Sequence, residues 1–540
     1  MSANDLESAM VSTEAAGAGN DKAEPTIPRP FYMLAVALVI GFLVETLLHR
    51  QPLGLGYAAA SLAVSVGWLV LGLGLDHRPS RSVLWLLAGV IFYGAMVAVR
   101  ASVALRVTNV MVGLILLLLI GATYVRENLP AFSVSDHFTA VVGAGIGTIL
   151  QPVVFFAGDL PQVLKARGEE GSELRNRFGP IIVGIVLAIP LLLIFGALFA
   201  SADPVFATYL RQFFDWQLDL QDVVMRCLFG VLLSWAGLGL ARHAFTAEVN
   251  DWVRRNLRRP RWLHLPSRTV ITALLLLNLL FVSFVVVQAV YLFGGADTLA
   301  RTHLTHSTYA RRGFFELVAA AALVVNLILL FDWLVAEEKS KGRRLVNVLH
   351  GFLVILTLAV LVSALQRMRL YQREYGLTEL RFYTTAFMGW VAVILLWLVV
   401  TVIARLSPRD GRERQRFALG AFVTALILVA VINLVNPDAI IARTNLRRVA
   451  AGATRPPDVE YLTMNLSPDT IPTLIAELDN LSDLTIRSRL ACKLAERAEM
   501  LVRQSEDHRW RGLNLGTSRA LWALHTAAEK ISNAAQQCPP

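Results

Sequence analysis

The sequence predicts an all-α fold: a polytopic transmembrane helix bundle of about 12 spans with a small helical extramembrane C-terminal domain. The chain has 540 residues, of which 55% are hydrophobic and only 17% are charged, and its mean hydropathy is +0.56. A soluble protein of this size carries about a quarter charged residues. Repeated apolar runs also reach the length that a helix needs to cross a bilayer.

Composition divides the chain into three parts. Residues 1–30 are rich in Ala, Gly, Ser and acidic residues. They lack a basic segment ahead of an apolar one, so we expect a disordered tail followed by an uncleaved first span, not a signal peptide. Residues 31–436 hold the apolar runs and form the predicted transmembrane bundle. Residues 437–540 regain an ordinary charge density, and their helically spaced apolar residues predict a helical C-terminal domain.

The predicted spans follow one another closely along the bundle. They lie near residues 31–48, 53–75, 83–99, 103–124, 138–157, 180–201, 223–242, 270–293, 314–336, 345–365, 382–404 and 417–435. Only the stretch from Arg100 to Arg106 separates the third span from the fourth, so the span count depends most on this hairpin. Pro152 and Pro190 predict kinks in the fifth and sixth spans.

The distribution of basic residues predicts the topology. Lys and Arg concentrate after the odd-numbered spans, above all in the loops 165–177, 254–268, 339–344 and 405–416. The positive-inside rule places these loops in the cytoplasm. The N-terminal tail and the C-terminal domain are then both extracytoplasmic. The net charge of +10 matches anionic lipid at the inner leaflet, so no nucleic-acid partner is predicted.

Cysteines and histidines predict neither a metal site nor a cofactor. Cys227 lies inside the seventh span, where we interpret it as a packing residue. Cys492 and Cys538 lie in the C-terminal domain and can form a disulfide if that domain is extracytoplasmic. His303 and His306 have a helical spacing, but without an HExxH pattern they are interpreted as solvated loop histidines. Nucleotide-binding loops and nucleophile elbows are also absent from the sequence.

Glu316 is the first candidate site residue. It stands one helical turn inside an apolar run that continues to Phe331. A carboxylate at that depth is costly and therefore indicates a functional site. Arg312 lies four residues before it and can pair with it on one helix face, and Tyr309 would anchor the helix at the interface. The alternative is a structural ion pair that lets the helix begin inside the bundle.

Two further charged segments flank predicted spans. Asp222 and Arg226 are four residues apart at the start of the seventh span, which predicts a structural intramembrane pair. Tyr375 and Arg381 precede the eleventh span, and this combination suits a phosphate or carboxylate ligand. The alternative for the second segment is an amphipathic helix at the interface with solvated charges.

Several sequence strings together resemble a known family. They are Ala202-Asp203-Pro204-Val-Phe206, Tyr309-Ala-Arg311-Arg-Gly313-Phe-Phe-Glu316-Leu, Tyr375-Gly-Leu-Thr-Glu-Leu-Arg381, Asn436-Pro437-Asp438-Ala-Ile-Ile-Ala442-Arg-Thr-Asn445 and Trp510-Arg-Gly-Leu-Asn514-Leu. The chain is similar, over roughly residues 180–520, to bacterial multi-pass membrane proteins that share a domain of unknown function. This resemblance implies an integral protein of the bacterial cytoplasmic membrane and assigns no reaction.

The even-numbered loops carry most of these strings, so alternating spans place them on one predicted face. The first hypothesis is binding or transport of an anionic lipid- or envelope-related ligand at the extracytoplasmic face, since arginines retained there need an anionic partner. Its predicted site residues are Tyr309, Arg311, Arg312, Glu316, Tyr375, Arg381 and Asp203. Besides the bilayer and this ligand, no partner is predicted.

Two other classes of function stay open. The first is a membrane-embedded enzyme acting on a lipid-linked substrate, with Asp203 or Glu316 as the general base. The second is a sensor or an assembly scaffold that contacts a partner through the C-terminal domain. The sequence shows no paired-carboxylate or metal-ligand spacing that would identify a reaction, and the oligomeric state is left unpredicted.

Overall fold

The structure is a computed structural model. It describes residues 30–125, 134–161, 220–245, 265–293, 314–335, 341–403, 413–451, 455–505 and 510–535, with single residues and short stretches between 184 and 208. Nearly all of the predicted N-terminal tail and much of the predicted sixth span therefore lie outside the described residues.

Helices occupy the predicted spans wherever the structure describes them. They are α1 (Pro30–Leu48), α2 (Leu55–Gly74), α3 (Arg81–Val99), α4 (Val103–Thr123), α5 (Val134–Val154), α6 (Leu220–Phe245), α7 (Ser267–Phe293), α8 (Phe314–Leu334), α9 (Lys341–Tyr375), α10 (Glu379–Leu398) and α11 (Glu413–Val435). Within the described ranges, ten helices are long and apolar enough to cross a membrane. The predicted fold class is confirmed, and the chain is a multi-pass α-helical membrane protein.

The bundle has two clusters of buried apolar side chains. The first lies among α1 to α6 and includes Leu87, Leu116, Phe155 and Leu238. The second lies among α7 to α11 and includes Leu274, Ile328, Leu353 and Leu395. Helix α11 contacts both clusters, because Leu426 packs against the first and Phe417 belongs to the second. Many outward-facing side chains of these helices are apolar and exposed, as a lipid-facing surface requires.

The C-terminal helices form a third apolar cluster. They are α12 (Pro437–Ala450), α13 (Ile471–Glu477), α14 (Leu484–Ser505), α15 (Leu515–Thr526) and α16 (Ala528–Ala535). Leu474, Leu490 and Leu494 are fully buried among them. Cys492 on α14 is disulfide-bonded, whereas Cys227 is a free thiol. Cys538, the partner that the sequence predicts for Cys492, lies outside the described residues.

The two ends of the bundle differ, and we name them for their neighbours. The docking end carries the C-terminal region, whose Arg511 and Asn514 contact α1 and α3 there. The basic end is the opposite one, where α6 ends and α7, α9 and α11 begin, and it is named for the basic stretches 254–268, 339–344 and 405–416 that stand next to these helix termini in the sequence. Helices α7 and α9 run in parallel toward the docking end, because Asn278 contacts Leu349 and Gln288 contacts Ser363.

The two termini of helix α1 lie at opposite ends of the bundle. Helix α1 ends at the docking end, where His49 Nε2 lies 2.8 Å from Asp222 Oδ1 at the start of α6. It begins at the basic end, where the hydroxyl of Tyr32 donates to the carbonyl of Val70 over 2.8 Å. The start of α1 and the C-terminal helices therefore lie at opposite ends of the bundle. Nearly all of the N-terminal tail, which the sequence predicts on the same face as the C-terminal domain, lies outside the described residues.

The order of α4, α5 and α6 also differs from the sequence-based expectation. Helix α4 ends and α6 begins at opposite ends of the bundle, whereas two spans between them would place both at the same end. Ile149 accepts a hydrogen bond from Trp235 over 3.2 Å, and Asp159 accepts one from Arg242 over 2.7 Å. The second half of α5, which contains Pro152 and continues into a π turn, thus stays beside the last turns of α6.

Labelling of single cysteines tests this arrangement. In a Cys227→Ser background, we expect Asp76→Cys and Leu484→Cys to react with a membrane-impermeant maleimide from opposite sides of the membrane. Asp76 follows α2 at the basic end, and Leu484 is 67% exposed on the C-terminal helices. Labelling of both positions from the same side would restore the original prediction and contradict the structure.

Candidate functional site

A cavity of about 800 Å³ lies where the C-terminal helices meet the docking end of the bundle. We call it the interface cavity. It is lined by residues 52–53, 101–104, 106 and 379 from the bundle and by residues 464–468, 497, 501, 504, 512–514, 517–518 and 521 from the C-terminal region. The contacts that hold these two walls together determine the shape of the site.

The loop between α3 and α4 is the main attachment point. Arg100 in this loop is only 8% exposed. Its guanidinium donates to the carbonyls of Asn433 and Leu434, the second over 2.9 Å. These carbonyls belong to the last turn of α11, where helix geometry leaves them without a partner of their own. Burial lowers the pKa of Arg100, and the nearby carboxylate of Asp469 opposes that shift.

Asn514 and Asp469 join the C-terminal region to the same loop. The Asn514 amide donates to the carbonyls of Val97 and Arg100 over 3.0 and 2.8 Å. Its oxygen accepts from the N–H of Thr517 over 3.2 Å and so caps α15. The carboxylate of Asp469 accepts from the N–H of Ala101 over 2.8 Å. Both side chains are buried, so each contact replaces hydration that the docked surfaces have lost.

The loop between α1 and α2 forms a second attachment point. The N–H of Leu55 donates to the carbonyl of Leu513 over 3.0 Å, and the guanidinium of Arg511 donates to the carbonyl of Thr46. A Cβ atom on Gly54 would lie 2.5 Å from the Leu513 oxygen, so only glycine permits this approach. The string from Trp510 to Asn514 thus connects two loops of the bundle.

Two buried acids lie behind the attachment loop. Asp438 and Asp469 are 1% and 8% exposed. Burial raises the pKa of both carboxyl groups, while hydrogen bonds to Ser467 and to the N–H of Ala101, respectively, act in the opposite direction. Both acids interact electrostatically with Arg100. The positive charge of Arg100 is therefore compensated within the protein.

Arg106 and Arg497 line the interface cavity, and Asp469 interacts electrostatically with Arg106 without forming an ion pair with it. Arg106 lies on the first turn of α4, and one of its terminal nitrogens is 3.5 Å from the carbonyl of Leu53. Arg497 lies on α14, and burial lowers its pKa. The Nε atoms of both are buried without a hydrogen-bond partner among the described residues, where neither side chain has an ion pair. Arginine stays charged in proteins, so the cavity is cationic.

Arg381, a predicted ligand-binding residue, is held by the backbone. Its guanidinium donates to the carbonyls of Tyr375 (3.1 Å) and Gly376 and lies over the ring of Tyr371, 4.1 Å from the centroid. These carbonyls lie at the C-terminal end of α9, where helix geometry leaves them without an intrahelical partner. Arg381 therefore caps the helix end to which Tyr375 belongs. Their ligand-binding role stays a prediction, and neither residue lines the interface cavity.

The turn after α9 is fastened to α12 by one side chain. Asn445 accepts from the N–H of Leu377 and donates to its carbonyl, each over 2.7 Å. Gly376 precedes Leu377 with a φ of 79°, and a Cβ atom there would overlap the Asn445 oxygen. Gly376 and Asn445 belong to two different strings of the family resemblance, and their contact holds the end of α9 against α12.

The other predicted ligand-binding residues are not assembled by any described contact. Glu316 is exposed at the docking end and has no ion pair among the residues that the structure describes. Asp203 is exposed and accepts from the N–H of Val205 over 2.8 Å, which caps a local turn. The remaining candidates, Tyr309, Arg311 and Arg312, lie outside the described residues.

Asp222 and Arg226 belong to a larger charged network at the docking end. Asp222 contacts His49 and Arg50, and Arg226 lies 3.3 Å from Glu45. His49 also lies 2.9 Å from Glu45, so its imidazole connects two carboxylates. The predicted pair therefore joins α6 to α1, and α1 supplies most of the described partners.

The sequence did not identify Arg106 and Arg497 as candidate site residues. Arg100 and Arg106 were interpreted only as the boundary between two spans, and no role was predicted for Arg497. The available signal was that Arg100 and Arg106 stand in a short stretch between two predicted spans that contains no acidic residue. The approach of Arg497 to Arg106 depends on tertiary docking, which spacing within one segment does not show.

Comparison with known proteins places this geometry in a family. A family model described as "Domain of unknown function (DUF4153)" matches residues 84–477. The match confirms the resemblance to a family of unknown function and begins earlier than residues 180–520, since it includes α4 and most of α3. Neither a comparison with curated proteins nor one with solved structures finds a match.

Replacement of Asn514 tests the attachment. We expect Asn514→Ala to destabilise docking by about 1–3 kcal/mol, because the buried carbonyls of Val97 and Arg100 lose their donor. Hydrogen exchange in α15 of the full-length protein should then become faster. Asn533→Ala, at an exposed position on α16, is the matched control and should leave exchange unchanged. Unaltered protection of α15 in Asn514→Ala would contradict the assigned role.

Proposed function

The chain belongs to this family of unknown function, whose description assigns no activity, and we propose from its geometry that it binds an anionic lipid- or envelope-derived ligand in the interface cavity. The observation that carries the proposal is the pair of arginines, Arg106 and Arg497, that face one cavity from opposite walls. A bound anion would supply the partner that the described residues do not.

The chemistry of arginine favours a phosphate or a carboxylate. Its planar guanidinium forms paired hydrogen bonds with such groups and is less strongly hydrated than an ammonium ion. Arg106 comes from the bundle and Arg497 from the C-terminal region, so one anionic group can contact both. Ligand binding would therefore also strengthen the docking of the two parts.

The remaining wall residues favour an amphiphilic ligand. Leu53, Val103, Leu501 and Leu521 line the cavity together with the two arginines. Val103 is 65% exposed at the start of α4, so apolar surface continues outward from the cavity at the end of a membrane-spanning helix. This is the depth at which lipid headgroups meet acyl chains. An anionic headgroup with an apolar tail fits both features.

The position of the basic loops supports an extracytoplasmic cavity. In the sequence, the basic stretches 254–268, 339–344 and 405–416 stand beside the helix termini of the basic end, which the positive-inside rule therefore places in the cytoplasm. The disulfide of Cys492 supports the same orientation, since disulfides persist in oxidising compartments. We therefore place the docking end outside a bacterial cytoplasmic membrane and the start of α1 inside, whereas the sequence predicts an extracytoplasmic N-terminal tail.

Charge-neutralising substitutions test the proposal. We expect Arg106→Gln and Arg497→Gln each to weaken binding of an anionic phospholipid about ten- to a hundredfold. This is the change in affinity expected when one charge-assisted hydrogen bond is lost. Native mass spectrometry of the detergent-purified, full-length protein titrated with phosphatidylglycerol measures this loss.

Arg503→Gln is the matched control, since Arg503 lies on the same helix α14 with its side chain 81% exposed. Binding in this variant should equal that of the unaltered protein. Equal binding by all three variants would overturn the proposal. An unchanged melting temperature separates lost binding from lost folding.

A further inference from the structure

We infer that the ligand of the interface cavity carries a cationic amine beside its phosphate, as the headgroup phosphoethanolamine does. This inference rests on the proposed function and names its ligand class. The observation behind it is a third charged side chain in the cavity wall, that of Glu379. An anion-binding site has no use for a carboxylate unless the ligand also presents a positive charge or a hydrogen-bond donor.

The position of Glu379 is determined by its backbone. It is the first residue of α10, and its N–H donates to the hydroxyl of Tyr461 over 3.0 Å. A carboxylate in the first turn also interacts favourably with the helix dipole. That interaction accounts for an acidic residue here, but it does not require the residue to line a cavity between two parts of the protein.

The three charges of the cavity are not paired with one another. Among the described residues, Glu379 has no ion pair, and the same holds for Arg106 and Arg497. Because Glu379 does not contact either arginine, the cavity has a negatively charged position that is separate from its two positively charged positions. A zwitterionic headgroup matches that separation, with its phosphate toward the arginines and its ammonium toward Glu379.

Neutral polar groups complete the recognition surface. Gln504, Thr517 and Ser518 line the same cavity. Their amide and hydroxyl groups both donate and accept hydrogen bonds, so they can bind an ammonium group or phosphate oxygens. The ligand class is therefore a phosphate ester of a small amino alcohol, either as the headgroup of an aminophospholipid or as the free headgroup.

Competition between two lipids tests the inference. Full-length protein in detergent is titrated with phosphatidylethanolamine and phosphatidylglycerol of identical acyl chains, and native mass spectrometry counts each complex. We expect the unaltered protein to prefer phosphatidylethanolamine about five- to tenfold, as expected for one partly exposed charge pair. Glu379→Gln should bring the two lipids to parity while phosphatidylglycerol still binds. Glu374→Gln, which removes an exposed carboxylate of α9, should keep the preference.

The outcomes separate the inference from the proposed function. If the unaltered protein binds both lipids equally, and Glu379→Gln changes neither, the amine is not recognised, although anion binding stands. If Arg106→Gln and Arg497→Gln also leave both affinities unchanged, the proposed function fails as well. Free headgroups identify the source of recognition. Displacement of lipid by phosphoethanolamine at a concentration about five- to tenfold lower than that required of glycerol phosphate supports headgroup recognition, whereas equal displacement by both overturns the inference.

Discussion

The burial of Arg100 between α3 and α4 is the constraint on which the rest of this structure depends. A guanidinium that is 8% exposed is stable only where its charge and its donors are satisfied. The last carbonyls of α11 satisfy its donors, and Asp438 and Asp469 contribute the opposite charge. Because these acids belong to the C-terminal region, the bundle cannot satisfy Arg100 alone. The same contacts therefore bring the bundle and the C-terminal helices together.

The interface cavity follows from the way these parts are attached. Asn514 and Asp469 bind the loop at the end of α3 through its main chain, and Leu513 binds the N–H of Leu55. These contacts use main-chain carbonyl and N–H groups of the bundle. The side chains of Arg106 and Arg497 take no part in them and line the interface cavity. Arg100, whose charge is compensated, is not part of the cavity lining, whereas Arg106 and Arg497 line the cavity without an ion pair among the described residues.

The sequence predicted the helices well and their partners poorly. Apolar length is a local property, so hydropathy located α1 to α4, α7, α8, α10 and α11 closely, although α9 continues to Tyr375, beyond the predicted end at residue 365. The direction of a helix in the bundle is not a local property. Helix α6 begins at the opposite end of the bundle from the end of α4, which the two predicted spans between them would not give. The same limit applies to Arg381, because its spacing from Tyr375 fits a ligand site and a helix terminus equally well.

The central proposal is that a ligand with a phosphate group lies between Arg106 and Arg497 when the C-terminal helices are docked. Electron cryomicroscopy of the full-length protein in nanodiscs made from native lipid tests this proposal most directly. We predict continuous density for a headgroup between the two guanidinium groups, with an apolar tail that extends past Val103 toward the bilayer. A docked C-terminal region whose cavity holds only separate water-sized peaks would contradict it.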